Sequence, residues 1–107
     1  MATAPSPAGR DLAAQLRRAL LSIVANIAEG AGSATAATFA RYLGIAEASA
    51  HEAEALVLVA RDAGLMAPAV ADPQMDELRQ LRAMLAALRR RAGAGKRTRT
   101  TPPPPAP

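Results

Sequence analysis

Alanine fills 29 of the 107 positions, and this constrains the fold more than any other feature. It is the strongest helix former, and Leu, Arg, Glu and Gln take most of the remaining positions, while β-branched and aromatic residues are few. The chain is therefore expected to be all-α. Alanine also removes little apolar surface from water. Of the 54 hydrophobic residues only 25 are larger than Ala, and at roughly 1.5 to 3 kcal/mol for each one fully buried they must nearly offset the ordering entropy of the chain. Helices of this composition approach each other closely but give a thin core, and burial against other chains would reinforce it.

The pattern divides into three periodic segments. Residues 1–10 combine Pro, Gly, Ser and Ala without periodicity and read as a disordered lead. A first helix is expected over 11–29, capped by Asp11, with Leu12, Leu16, Ala19, Leu20, Ile23 and Ile27 on one face and Gly30 and Gly32 as its stop. A second is expected over 35–63, with Ser33 or Thr35 as cap and a stripe through Phe39, Tyr42, Leu43, Ala46, Ala50, Ala53, Leu56, Val57 and Ala60. Gly64 fits the residue that follows its end. Asp72-Pro73 reads as an N-cap followed by Pro at the first helical position, giving a third helix over 73–91 along Met75, Leu78, Leu81, Leu85 and Leu88. Residues 93–107 join a basic stretch to TPPPPAP and read as a disordered tail favouring polyproline II. Short connections between three helices imply an antiparallel up-down bundle over 11–92.

Without cysteine the chain has no disulfide or thiol chemistry, and Met1–Leu12 lacks the apolar run of a secretory signal. No wholly apolar run is longer than Ala55–Ala60, which falls far short of the roughly 20 residues a bilayer requires. No membrane partner is expected, and a cytoplasmic setting is the default. The net charge of +4 is unevenly placed: residues 1–92 carry ten Arg against nine acids, and Lys96, Arg97 and Arg99 supply the excess.

Gln15-Leu16-Arg17-Arg18-Ala19, then Ser22-Ile23-Val24-Ala25-Asn26-Ile27-Ala28-Glu29-Gly30, then Phe39, Arg41, Tyr42, Leu43, Ile45, Ala46, Ser49, Ala50, Glu52 and Glu54 carry a resemblance. Their order and spacing over about 12–65 resemble the bacterial four-helix-bundle family that includes proteins encoded in intervening sequences of large-subunit ribosomal RNA genes. The accessory variability determinants of diversity-generating retroelements are its more distant members. Members usually have Pro where this chain has Val24, so the bend expected at a helical Pro is not implied here. In the family a full helix precedes the Gln-Leu-Arg-Arg segment, whereas here a Pro-rich lead does, so the chain resembles helices two to four with the first lacking, lost or supplied by another chain. The resemblance implies a ring-like homo-oligomer, a pentamer, with RNA or DNA and a reverse transcriptase as partners, and structural or interface roles for Asn26, Glu29, Phe39, Tyr42 and Glu52.

Read by themselves, the residues offer little for catalysis, which needs a nucleophile with a base, a paired acid and base, or a metal site. His51 is the only histidine; Glu47, His51 and Glu54 share a helix face but lack the Glu-x-x-His motif of carboxylate-bridged metal sites in bundles, and are expected to form ion pairs. Gly93-Ala94-Gly95-Lys96 lacks the strand and spacing of a phosphate-binding loop. No metal or cofactor is expected. Asn26 has two readings, a bond to a backbone carbonyl near the helix end or a buried contact setting register between helices or subunits. Glu29 either pairs with an Arg of a neighbouring subunit or faces water.

The cations are the candidate binding residues: Arg17, Arg18 and Arg41, then Arg89, Arg90, Arg91, Lys96, Arg97 and Arg99, the last six within eleven residues. Arginines at a helix C-terminus also stabilise the dipole, so Arg89–Arg91 carry a structural reading beside the functional one. With one Phe, one Tyr and no Trp there is no stacking platform for single strands, so nucleic-acid binding would be driven by shape and charge. The expectation is a non-enzymatic, homo-oligomeric accessory protein that binds nucleic acid, RNA before DNA. The alternative is a protein-interaction module whose open groove accepts a partner helix.

Overall fold

The computed structural model describes residues 6–100, with side chains for 6–93. Three α-helices account for nearly all of it: α1 (Pro7–Ala31), α2 (Ala36–Asp62) and α3 (Pro68–Thr100). Two of them begin before the sequence pattern places them. α1 starts at Pro7 because Ser6 caps it, its hydroxyl accepting the Gly9 amide at 3.0 Å, and Pro7 takes the first helical position, where a missing N–H costs nothing. Asp11 is therefore internal to the helix, and accepts a bond from Gln15 one turn on. α3 starts at Pro68, with the Val70 and Ala71 amides bonded to the Ala67 carbonyl. Pro73 lies within it, on an exposed part of the helix surface. Asp72 is not a cap but accepts a 2.8 Å bond from Arg61 of α2. At its other end α3 runs past the expected 91 to Thr100, where Ala, Lys and Arg, strong helix formers, are interspersed with Gly93, Gly95, Thr98 and Thr100, which are poor ones. The polyproline reading of TPPPPAP lies outside the described residues.

Between the helices the chain chemistry is as the sequence suggests. Thr35, of the two cap candidates, caps α2 by accepting the Thr38 amide at 3.1 Å. Ser33 instead bonds back to the Gly30 carbonyl. α2 ends in a Schellman motif: Gly64 has φ +74, the Leu65 amide reaches the Ala60 carbonyl at 2.8 Å and the Gly64 amide reaches Arg61 at 3.1 Å.

α2 is the central element. α1 and α3 each pack against it, and their backbones do not approach one another. Leu43, Ala46, Ala50, Ala53 and Val57 of α2 are completely buried, joined by Ala19 and Ile23 of α1 and by Ala71, Met75, Leu78 and Leu85 of α3. Cross-links on α3 descend as those on α2 ascend, Arg89 to Glu47, Arg82 to Glu54 and Asp72 to Arg61, so these two helices run in opposite directions. On the other flank Ser22 and Ser49 share a 2.7 Å hydrogen bond, and Gly30 of α1 lies against Phe39 and Tyr42 of α2. Gly30 does not stop α1, which continues through Ala31. It is buried at the crossing, where an added Cβ would come within 2.9 Å of the Phe39 ring and 3.0 Å of the Tyr42 Cβ.

Candidate nucleic-acid interface

The arrangement of small and charged residues along the α2–α3 seam builds one concentrated basic site. Ala37, Ala40 and Gly44 recur on one face of α2 and leave a shallow floor beginning in its first turn, the positive end of the helix dipole. Arg41 of α2 and Arg89 and Arg90 of α3 stand around this floor, with Gly93 closing it. Gly44 makes room for Arg89, whose Cδ lies 3.4 Å from where a Cβ would sit. The exposed Arg41 side chain has its guanidinium 5.0 Å from the centroid of the Tyr42 ring, a cation–π contact.

The three arginines are not equivalent. Arg89 is anchored, with Nε 2.8 Å from one Glu47 oxygen and Nη2 3.5 Å from the other. This hydrogen bond and the charge of Glu47 raise the Arg89 pKa above its ordinary value, so the side chain stays cationic throughout the accessible pH range. Arg90 is exposed. Beyond Arg89, on the other side of Gly44, a second hollow is lined by Glu47, Ala48, His51 and Arg82. Arg82 is fastened to Glu54 at 2.8 Å, and Arg79 also reaches Glu54, at 3.5 Å. On the Glu47–His51–Glu54 face Glu47 and Glu54 are thus held in inter-helix ion pairs while His51 is exposed, and among the described residues no group of three or more acidic, His or Cys side chains is placed to hold a metal.

Of the other residues singled out by sequence, Arg17, Arg18 and Arg91 are exposed. Arg17 and Arg18 stand on α1, the helix that does not meet α3, and join no groove with Arg41. Arg18 borders a separate polar notch with Gln15, Ser22, Ser49 and Glu52. The side chains of Lys96, Arg97 and Arg99 lie outside the described residues. Asn26 bonds the Ser22 carbonyl at 2.8 Å and its hydroxyl at 3.1 Å, so one side chain meets a backbone carbonyl a turn back and also touches the Ser22–Ser49 link that joins α1 to α2. Glu29 is exposed. Phe39 and Tyr42 are half-buried on Gly30. Sequence reasoning missed Arg79 and Arg82, Ser22 and Ser49 as cross-links; interior serines, which are mediocre helix formers, were the available signal for the last two.

A second surface is apolar. Where α1 and α3 stand apart, Leu16 and Leu20 face Leu78 and Leu81 across a groove of about 420 Å³ floored by Val57, with Gln74 and Glu77 on its rim. Leu20, Leu21 and Val24 of α1 are 41%, 62% and 66% exposed. None of the helices in the described residues is long and apolar enough to cross a membrane.

These features define an all-helical protein in which two helices flank a central one, with an arginine-lined seam on one side and an open apolar groove on another. Residues 2–87 match the family described as 23S rRNA-intervening sequence protein, and the chain belongs to that family. The matched span takes in α1, α2 and most of α3, and ends before Arg89. No individual curated protein and no solved structure matches the chain.

Proposed function

We propose that the chain is a non-enzymatic accessory protein that assembles with copies of itself and binds structured nucleic acid, RNA before DNA, by its phosphates. The observation that carries the reading is the seam itself: Arg41, Arg89 and Arg90, from two helices, converge over a floor of Ala and Gly that lets a phosphate backbone approach closely. A family described by its ribosomal RNA insertions supports RNA as the ligand. The chain's only two large aromatics are used at the α1–α2 crossing, which fits recognition by charge and shape and not by base stacking. The cationic end of α3 lies beyond the family match and would extend the contact.

Binding to a short RNA duplex is expected to weaken with salt, with a log–log slope of about −0.9 per phosphate neutralised. Replacing Arg41 and Arg90 together by Ala should flatten that slope by about 1.8, two contacts at about 0.9 each, and weaken binding alike across sequences. Affinity indifferent to salt, or unchanged in the double variant, would remove this reading.

The apolar groove favours assembly, and leaves a second reading open. Leu20, Leu21 and Val24 form an exposed apolar ridge continuous with the groove, which is unusual for a chain with so few large apolar residues. Light scattering is expected to return a multiple of the 11.0 kDa chain mass, and Leu20→Glu with Val24→Glu to return a single chain with its helix content intact. A wild-type mass of one chain would instead leave the groove to an amphipathic helix from another protein.

A further inference from the structure

Resting on the phosphate-binding reading of the seam, we infer that Glu47, in the hollow beside the groove, is a resident counter-ion that competes with phosphate for Arg89 and holds it until a densely charged ligand displaces the carboxylate. The Arg89 fork turned toward Glu47 uses its Nε donor and one Nη2 donor, so a phosphate that takes this bidentate face has to displace the carboxylate. Both partners are partly open to solvent, at 42% and 24% side-chain exposure, so the pair is exchangeable and not locked in the core. Gly44 beneath the Arg89 stem leaves the space in which the side chain can swing from the Glu47 side of the seam to the Arg41–Arg90 side, since Arg89 lines the hollows on both.

The consequence is a threshold. A lone phosphate meeting Arg89 must compete with a carboxylate already in place. A duplex brings phosphates to Arg41 and Arg90 as well, and once these are engaged the next phosphate faces Arg89 at a high effective concentration. A sparse anion that cannot displace Glu47 forgoes Arg89, so the ion pair takes most from the ligand that would otherwise use all three arginines, a duplex, and least from a single strand, whose charges lie further apart.

The test measures affinity of the full chain for an RNA duplex and for one of its single strands over a salt series. Glu47→Gln keeps the side-chain shape and removes the charge. It is expected to tighten duplex binding roughly three- to tenfold at low salt, to steepen the slope by about 0.9, and to widen the duplex preference. Asp72→Asn makes the same change of net charge but frees Arg61 at the far end of α2, and should leave all three quantities nearly unchanged. The inference is overturned if Glu47→Gln binds no better than wild type, if its duplex preference is unaltered, or if Asp72→Asn matches it. Failure of the Arg41 and Arg90 double variant to weaken wild-type binding would overturn the phosphate-binding reading instead. Thermal melting of each variant confirms that folded protein is being compared.

Discussion

Truncating Leu43 to alanine is expected to cost about 3 to 4 kcal/mol, enough to leave the chain partly unfolded at physiological temperature. Among the described residues Leu43 is one of two large side chains with no exposed surface, and it sits in the central helix within the buried cluster that both flanking helices join. Its neighbours along α2 are Ala46 and Ala50, which have no rotamers with which to fill the space left behind, so the cavity term should approach its full size. With only 25 hydrophobic residues larger than Ala the chain has little reserve. For a domain of this length each kcal/mol lost lowers Tm by roughly 4 to 8 °C, so a fall of more than about 12 °C is expected by circular dichroism, with urea denaturation giving the free energy. Met84→Ala is the control. Met84 is 67% exposed, and its truncation should stay within about 0.5 kcal/mol of wild type. A loss below about 1 kcal/mol at Leu43 would mean that the α2 core is not where the stability resides.

The sequence made the helices and their buried stripes legible because the 3.6-residue period is local information, and the stripe from Leu43 to Val57 is buried as read. It was less informative at the ends. Asp72-Pro73 has the form of a helix start, yet Arg61, eleven residues earlier and on another helix, claims the Asp72 carboxylate, and Pro68 supplies an earlier first turn. Ser6-Pro7 carried a valid start signal that the surrounding Pro and Gly obscured. The basic seam was half legible. Arg41, Arg89 and Arg90 are conspicuous as residues, but their convergence depends on the register of α3 against α2, which also brings Glu47 to Arg89 and Glu54 to Arg82, pairs 42 and 28 positions apart. No window of sequence contains both partners. The same applies to Leu20, which the periodicity assigns to the core stripe of α1 and which stands 41% exposed because α3 does not close over that side.

Gly30→Leu should separate α1 from α2 at a cost of about 3 kcal/mol, although it places a good helix former where a poor one stands. The two effects oppose each other, and geometry decides between them. Exchanging Gly for Leu in a helix interior is worth somewhat under about 1 kcal/mol in α1 alone. At the crossing, however, the added Cβ would sit 2.9 Å from the Phe39 Cδ1 and 3.0 Å from the Tyr42 Cβ. The ring can turn aside, but the Tyr42 Cβ is fixed to the backbone of α2, so one helix has to move away. Because the α1–α2 contact is continuous, that displacement also strains the Ser22–Ser49 hydrogen bond and opens the packing around Ala19 and Ile23. Gly44→Ala is the informative contrast. A Cβ there meets only the movable Arg89 stem at 3.4 Å, so helix propensity should prevail and stability should hold or rise. The expected signature at Gly30→Leu is retained helix content with a lower urea midpoint, and faster amide hydrogen exchange in the second half of α1 while the α2–α3 pair stays protected. Equal stability in Gly30→Leu and wild type would show that α1 can slide on α2 without penalty. In that case the glycine would serve only the turn that follows it, and the close crossing would not define the fold.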